Sequence, residues 1–507
     1  MISRNLKVVF FLTLFISSFN ELAFCGNRIN GWFIFGTNLA WFDGDYGHDL
    51  GVAHKGWNPS FTEEKCRKYF SDIARMGCRV VRVWAFEAQE GLLFDKNDKM
   101  VTGLSPKFLE NCDSLMAIAL ENKLSIYWSL LNHLIAEDEN GKHLNILSDK
   151  SVRQSYIKNA LIPFVKRYST SPAFFAIDLM NEVDGAVGKF SILTGSHKWR
   201  GVSWDTMRTF LKDCTSAIHG GVPGVKVTAT SGWNDYENVK RGKFLGLGLD
   251  FFDWHSYNDA GRIPHVKDLN IGNTPCLLGE YGPAKKERDD ALQGKNWDNY
   301  LNAAYSKGYA GVLSWSYGTP GEDSNFSLTN KDGSWRPGAK VMAKFSYNHP
   351  DCGPIIYDEN SKIILSTVNQ AVKSIMNSDP ALRSYFSQLI EKLRPFYPYR
   401  NPQYALRKLV EMCRSIHETR SNLLGKVPQI ERELEAVRKL ANDCFQMIKS
   451  APKSEELFLN RETVKRLEEI PFGFTSQSKD LSQPQKLKPV EINSENQLSN
   501  SKNPFSD

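Results

Sequence analysis

"FFAIDLMNE" occupies residues 174–182. It is apolar for most of its length and stops on Asn181–Glu182. Polar and apolar residues do not alternate, as they would in an antiparallel strand with one wet face. The run is apolar on both faces, the pattern of a parallel strand covered on each side. Its last residue is a carboxylate. A carboxylate buried without a partner is costly and responds by taking up a proton. Glu182 therefore marks a core strand that ends on a group able to hold and release a proton.

Seven further runs share this texture. They are "WFIFGTNLAW" (32–41), "CRVVRVWAF" (78–86), "LSIYWSLL" (124–131), "VKVTATSGW" (225–233), "LDFFDWHSY" (249–257), "PCLLGEYG" (275–282) and "AGVLSWSYG" (310–318). Amphipathic stretches lie between them, such as "TEEKCRKYFSDIARMG" (62–77) and "SPKFLENCDSLMAIALEN" (105–122). Each ends in Gly or Asn, as helices often do. Eight strand–helix repeats over residues 27–350 predict an α/β fold, a (β/α)8 TIM barrel.

In such a barrel the functional groups collect at the C-terminal ends of the strands. Strand four brings Asn181 and Glu182, and strand seven brings Glu280. Three strand–helix units separate the two glutamates, which sets them facing each other across the barrel mouth. Paired carboxylates have one very common use, glycoside hydrolysis. One holds a proton for the leaving oxygen; the other is ionised and attacks the anomeric carbon. Their proton affinities are driven apart because each charge acts on the other. A structural ion pair with a nearby Arg or Lys is the competing reading. Other strand ends favour chemistry: Arg82 on strand two, His255 and Tyr257 at the end of strand six, Trp315 on strand eight. A cation and a tyrosine hydroxyl near Glu280 would keep it ionised and oriented. Asn181 would hydrogen-bond the hydroxyl beside the reacting carbon, and the Trp315 indole would floor the sugar site. No CxxC or HExxH pattern occurs, and this reading calls for neither a metal nor a cofactor.

The barrel resembles the retaining glycoside hydrolases of clan A, family five, and within them is most similar to the endo-β-1,4-mannanases. The motifs that carry the resemblance are "FGTNLAW" (35–41), "VRVWAF" (81–86), Asn181–Glu182, "DWHSY" (253–257) and "PCLLGEYG" (275–282). It implies acid/base work for Glu182 and a nucleophile at Glu280. It implies substrate contacts or support from Asn38, Arg82, Trp84, Asn181, His255, Tyr257 and Trp315. One departure stands out: mannanases usually follow Asn-Glu with Pro, and here Val183 follows. An exo-β-mannosidase, a β-glucanase or cellulase of the same clan, and a catalytically dead carbohydrate-binding barrel are the alternatives. The partner implied is an oligo- or polysaccharide.

The rest of the chain reads by composition. The 63 basic and 57 acidic residues are interleaved, leaving a net charge of only +6 over 507 residues. That argues against a nucleic-acid-binding surface. Arg4 and Lys7 precede the apolar run "VVFFLTLFISSF" (8–19), too short to span a bilayer and suited to a signal-peptide core. Cleavage after Cys25 would make residues 1–25 a leader and the protein secreted or extracytoplasmic. Lipid anchoring at Cys25 is disfavoured because Phe24 is too large for a lipoprotein box. Export would permit disulfides, although the spacings of the cysteines do not reveal a pairing. Beyond the barrel, residues 354–472 read as an α-helical region. Ile430, Leu434, Val437, Ala441, Cys444 and Ile448 form one apolar stripe there. The stripe suits a helical bundle or an association with a partner or a second copy. Residues 473–507 are rich in Ser, Gln, Asn, Lys and Pro, the composition of a disordered tail.

Overall fold

The computed structural model describes residues 28–423, apart from 41, 43–49, 53–58, 137–140, 189–200, 284–286, 319–323 and 379, together with residues 439 and 442. The expected leader, all six residues of the apolar stripe between 430 and 448, and the tail lie outside the described residues.

Eight parallel strands form the barrel. They are β1 (Phe33–Leu39), β2 (Val80–Trp84), β3 (Ser125–Asn132), β4 (Phe174–Asn181), β5 in two pieces (Val227–Thr228 and Thr230–Ser231), β6 (Phe252–Ser256), β7 (Cys276–Tyr281) and β8 (Gly311–Ser314). Each pairs with its neighbours in sequence, and β8 returns to β1. Closure falls on β5. Val227–Thr228 pair with β4 and Thr230–Ser231 with β6, so the strand is shared between the two edges. Every residue of β1, β2, β3, β6, β7 and β8 is buried. This is the two-faced burial that the unalternating apolar runs predicted.

The helices between strands are set by their own sequences. Glu63–Arg75 starts at Thr62, whose hydroxyl accepts from the Lys65 amide. Glu63 and Glu64 sit in its first turn and Arg75 in its last, each favourable to the helix dipole. Cys66, Tyr69, Phe70, Ile73 and Ala74 share the face it turns to the barrel. Ser203 and Asp289 cap Trp204–Gly221 and Asp290–Ser306 in the same way. An antiparallel hairpin, Leu92–Phe94 with Val101–Leu104, follows β2; its short strands gave no readable sequence pattern.

Strand register sets the functional side chains beside one another. Asn38 pairs with Arg82 between β1 and β2, Asn132 with Asn181 between β3 and β4, and His255 with Glu280 between β6 and β7. The last of these follows a register shift between Leu278 and Glu280. An irregularity of this kind next to a site re-aims the side chain beyond it.

After the barrel, Cys352–Gly353 add to the start of β1, so the chain leaves at the end opposite the mouth. Helices follow at Glu359–Met376, Pro380–Tyr385, Ser387–Leu393 and Pro402–Leu423. They enclose a core of their own that includes Ile364, Val368, Leu389, Leu393, Leu406, Leu409 and Met412. Arg400 ties this region to the barrel floor. Its guanidinium donates to the carbonyls of Gly31 (2.9 Å) and Asn30 (3.0 Å) and lies 4.0 Å above the Trp32 ring. Lys123 pairs with Asp358, and Arg407 stacks on Tyr347. A cavity of about 560 Å³ opens at this floor, lined in part by Trp32, Phe175, Tyr357 and Lys362, far from the mouth. Arg400→Ala should lower stability by about 1 kcal/mol, from one cation–π contact and two hydrogen bonds. Denaturant midpoints would measure this, with the activity of the barrel mouth unchanged; an equal loss of activity would show that floor and mouth are coupled.

Candidate active site

The mouth is built around one guanidinium. Arg82, fully buried, donates through Nη1 to Glu280 Oε1 (2.7 Å) and Asn38 Oδ1 (3.1 Å). Through Nη2 it donates to Asp178 Oδ2 (2.7 Å), Asn181 Oδ1 (2.8 Å) and Ser129 Oγ (3.1 Å). Burial works against its charge, but Asp178 and Glu280 outweigh that and hold it protonated above its ordinary range. The neighbours are fixed in turn. Asn38 donates to the carbonyls of Gly279 (2.8 Å) and Ser314 (3.1 Å). Asn181 donates to Asn132 (3.4 Å), which donates to Glu87 (3.0 Å). With its oxygen turned to Arg82, the Asn181 amide has its orientation decided.

Glu280 is held at both oxygens. Arg82 takes Oε1, and the Tyr257 hydroxyl donates to Oε2 at 2.5 Å. His255 Nδ1 stands 3.3 Å from the same Oε2 and 2.9 Å from Glu182 Oε1, so one ring nitrogen lies between the two carboxylates. Burial raises the Glu280 carboxyl above its usual range and Glu182 adds to this, while His255, Arg82 and Tyr257 act against it. Burial likewise drives the His255 imidazole down to about 4, so the ring is neutral over ordinary working pH.

Glu182 follows directly after β4 in the left-handed region, φ 49° and ψ 56°. That conformation is uncommon for a residue with a side chain, and it persists where the surroundings over-determine it. Its amide donates to Thr230 Oγ1 (2.7 Å), and its carbonyl accepts from Gly185 (2.8 Å). Asp184, two residues on, accepts from the amides of Gly232, Trp233 and Asn234, from Ser231 Oγ and from Asn238 Nδ2. This carboxylate thereby fastens the loop after β5 beside Glu182. His133 Nδ1 approaches Glu182 Oε2 at 3.6 Å, and the Trp233 ring meets the His133 ring edge-on.

Each of the nine residues singled out from the sequence lies at this mouth. Trp84 sits 4.3 Å under the Arg82 guanidinium and edge-on to Trp315, ring centroids 5.6 Å apart. Strand-end reasoning did not reach Asp178, Ser129, Asn132, Glu87, His133, Asp184 or Trp233. Asp178 had a signal, a charge within an apolar run, and Trp233 closed the fifth run. Asn132 and Glu87 act at one remove and left no mark in the sequence.

Glu182, His255 and Glu280 each present an oxygen or nitrogen within 4.8 Å of the others. Three such ligands fit the size of a metal site. Both Glu280 oxygens are already engaged, however, and the adjacent guanidinium supplies the positive charge that a cation would bring.

No protein-family model matches the chain. The mannan endo-1,4-β-mannosidase of Cryptopygus antarcticus is 25% identical over 330 residues, covering 58% of this chain and 82% of that enzyme. The corresponding enzyme of Mytilus edulis is 27% identical over 319 residues, covering 56% of this chain and 83% of its own. The solved β-mannanase of Mytilus edulis shares the fold, with a TM-score of 0.50 at 22% identity over 65% of this chain and 96% of that one. The resemblance carried by the strand motifs thus extends across the barrel. The chain is a glycoside hydrolase with a family-five-like TIM barrel, and its sequence relatives are endo-mannanases.

The loop after β5 leaves no room beside Glu182. A Cβ on Gly232 would fall 2.0 Å from Glu182 Oε1. Gly232→Ala should therefore push the carboxylate off His255 and lower kcat roughly 10²-fold, the scale of an ångström's misplacement. Steady-state kinetics with a matched thermal melt would check this; unchanged kcat would mean that the Glu182 position is not critical.

Proposed function

We propose that the protein is a secreted endo-β-1,4-mannanase that cleaves mannan-type polysaccharide with retention of configuration. Glu280 is the nucleophile and Glu182 the acid/base. The observation that carries this reading is the pair of carboxylates, with oxygens within 4.8 Å of each other on either side of His255. Retaining enzymes keep their carboxyl groups about 5–5.5 Å apart, whereas inverting ones leave about 6.5–9.5 Å for a water. The leader-like residues 1–25 support export. No helix among the described residues is long and apolar enough to cross a membrane.

In the first step a Glu280 oxygen attacks the anomeric carbon, and Glu182 passes its proton to the leaving oxygen. Arg82 and Tyr257 hold the attacking carboxylate ionised and aimed. Asn181 offers an amide N–H to the hydroxyl beside the reacting carbon, where a bond that tightens in the transition state lowers the barrier. In the second step Glu182 draws a proton from water, which attacks the glycosyl-enzyme and frees Glu280. Trp315 stands on the β8 side of the pair and Trp233, 55% exposed, on the β5 side, while Trp84 lies buried under Arg82. Aromatic platforms on both sides suit a polymer threaded through the cleft, which supports endo action.

Glu280→Ala should abolish turnover of every substrate. Glu182→Ala should still be glycosylated by a dinitrophenyl glycoside, then stall, and azide should restore turnover with a β-glycosyl azide product. An α-product from Glu182→Ala would reverse the two roles. Product sizes from mannan, glucomannan, cellulose and xylan would separate endo from exo action and mannan from glucan.

Tyr257→Phe removes a donor from the ionised form of Glu280. The Glu280 pKa should rise further, and the acid limb of kcat/KM should move to higher pH. A limb that stays in place would assign the acid side of the profile to another group.

A further inference from the structure

Beneath the carboxylate pair lies a third carboxylate that the mechanism does not use. Asp253, on β6 two residues before His255, is buried in the barrel. The Tyr127 hydroxyl of β3 donates to its Oδ2 at 2.7 Å. Its Oδ1 has no hydrogen-bond partner among the described residues. The space around it is closed, since a Cβ on Gly279 of β7 would fall 2.3 Å from Oδ1.

Charge is out of balance here. The groups facing Asp253 are Arg82 from β2, Tyr127 from β3, Asp178 from β4 and, from β7, the Cys276 thiol and the Gly279 amide, with Thr230 of β5 at the paired position. Arg82 is the one cation among them, and its terminal nitrogens are already given to Asp178 and Glu280 at 2.7 Å each. Three buried carboxylates would share a single guanidinium. The one that no cationic donor reaches is the one that holds a proton.

We propose that Asp253 is a positioning residue that carries a proton in the active enzyme, and that its ionisation weakens the hold of Arg82 on Glu280 and so sets the alkaline limb of activity. Ionised, Asp253 adds a negative charge beneath the guanidinium and competes for it. Glu280 then loses part of the stabilisation of its nucleophilic form. Burial pushes the Asp253 carboxyl up to about 7, within the range where an enzyme of this kind works. The folded chain binds this proton more tightly than the unfolded chain, whose aspartates titrate near about 4. The contribution to stability is therefore present below that value and is lost as pH rises toward about 7.

The activity arm of the test rests on the mannanase reading; the spectroscopic arm does not. The full chain, its D253N variant and its Y127F variant would be followed by infrared spectroscopy across pH. The wild type should show a protonated-carboxyl band at neutral pH that D253N lacks. Y127F removes a donor to the ionised form, so its band should persist to higher pH. With mannan as substrate, D253N should keep its activity on the acid side and hold about tenfold more kcat/KM at the alkaline end, a limb shifted by about one pH unit. Y127F should move the limb in the same direction, and it serves alone if D253N does not fold. Absence of the band from the wild type at neutral pH overturns the proposal, whatever the substrate. An unmoved alkaline limb in folded D253N, or no activity of that folded variant at any pH, overturns it as well. Absence of wild-type turnover on every glycan, with the band present, would count against the mannanase reading and leave the protonated Asp253 established.

Discussion

The site depends on the Arg82 guanidinium, buried among acceptors at the top of β2. Removing a charge of this size from water costs several kcal/mol, recovered only when opposite charges and acceptors meet it in good geometry. Here the two terminal nitrogens meet five acceptors from β1, β3, β4 and β7. Those strands are bound to one register by a single side chain. The same contact acts against the rise that burial imposes on the Glu280 carboxyl. Orphaning two buried carboxylates would cost about 3–5 kcal/mol by the general scale for broken buried pairs. Stability and chemistry thus share one group.

A second constraint holds Glu182. Arg82 does not touch it, and its backbone lies in a conformation that a side chain disfavours. The fixing comes from the loop after β5, drawn in by the five donors that meet Asp184. Gly232 must then lack a side chain, because the carboxylate fills the space a Cβ would take. His255 joins the two arrangements. Kept neutral by burial, it reaches both carboxylates without adding a charge that would pin either as an ion. Glu280 is held by a cation and a phenol, Glu182 by a loop and a neutral ring. The proposed division of roles between the two glutamates would draw on that difference of surroundings.

Much of the fold was legible because parallel barrel strands are buried on both faces, and unbroken apolar runs record that directly. The helices were readable from their polar starts and their amphipathic faces. The hairpin at 92–104 and the division of β5 were not, since strands of two to four residues carry too little pattern. At the site, Glu182 and Glu280 stood out as charges ending apolar strands. Arg82, His255 and Tyr257 followed once strand ends became the place to look. Asp253 escaped because it lies inside a strand, one layer below the rim. Asp184 escaped because a charged residue in a loop ordinarily needs no explanation.

By itself the sequence determined the barrel, its eight strands, the two facing glutamates and the kinship with endo-mannanases, since each rests on the order and polarity of residues along the chain. The tertiary structure decided which groups touch. It turned the Asn181 oxygen toward Arg82 and set His255 between the carboxylates. It also attached the C-terminal helices to the barrel floor through Arg400. Such contacts join residues far apart in the chain, and they depend on strand register and side-chain direction. A register shift of one residue, like the one before Glu280, reverses which face a side chain takes. No local pattern of residues encodes that choice; it is made when the strands close on one another and the buried charges must find their partners.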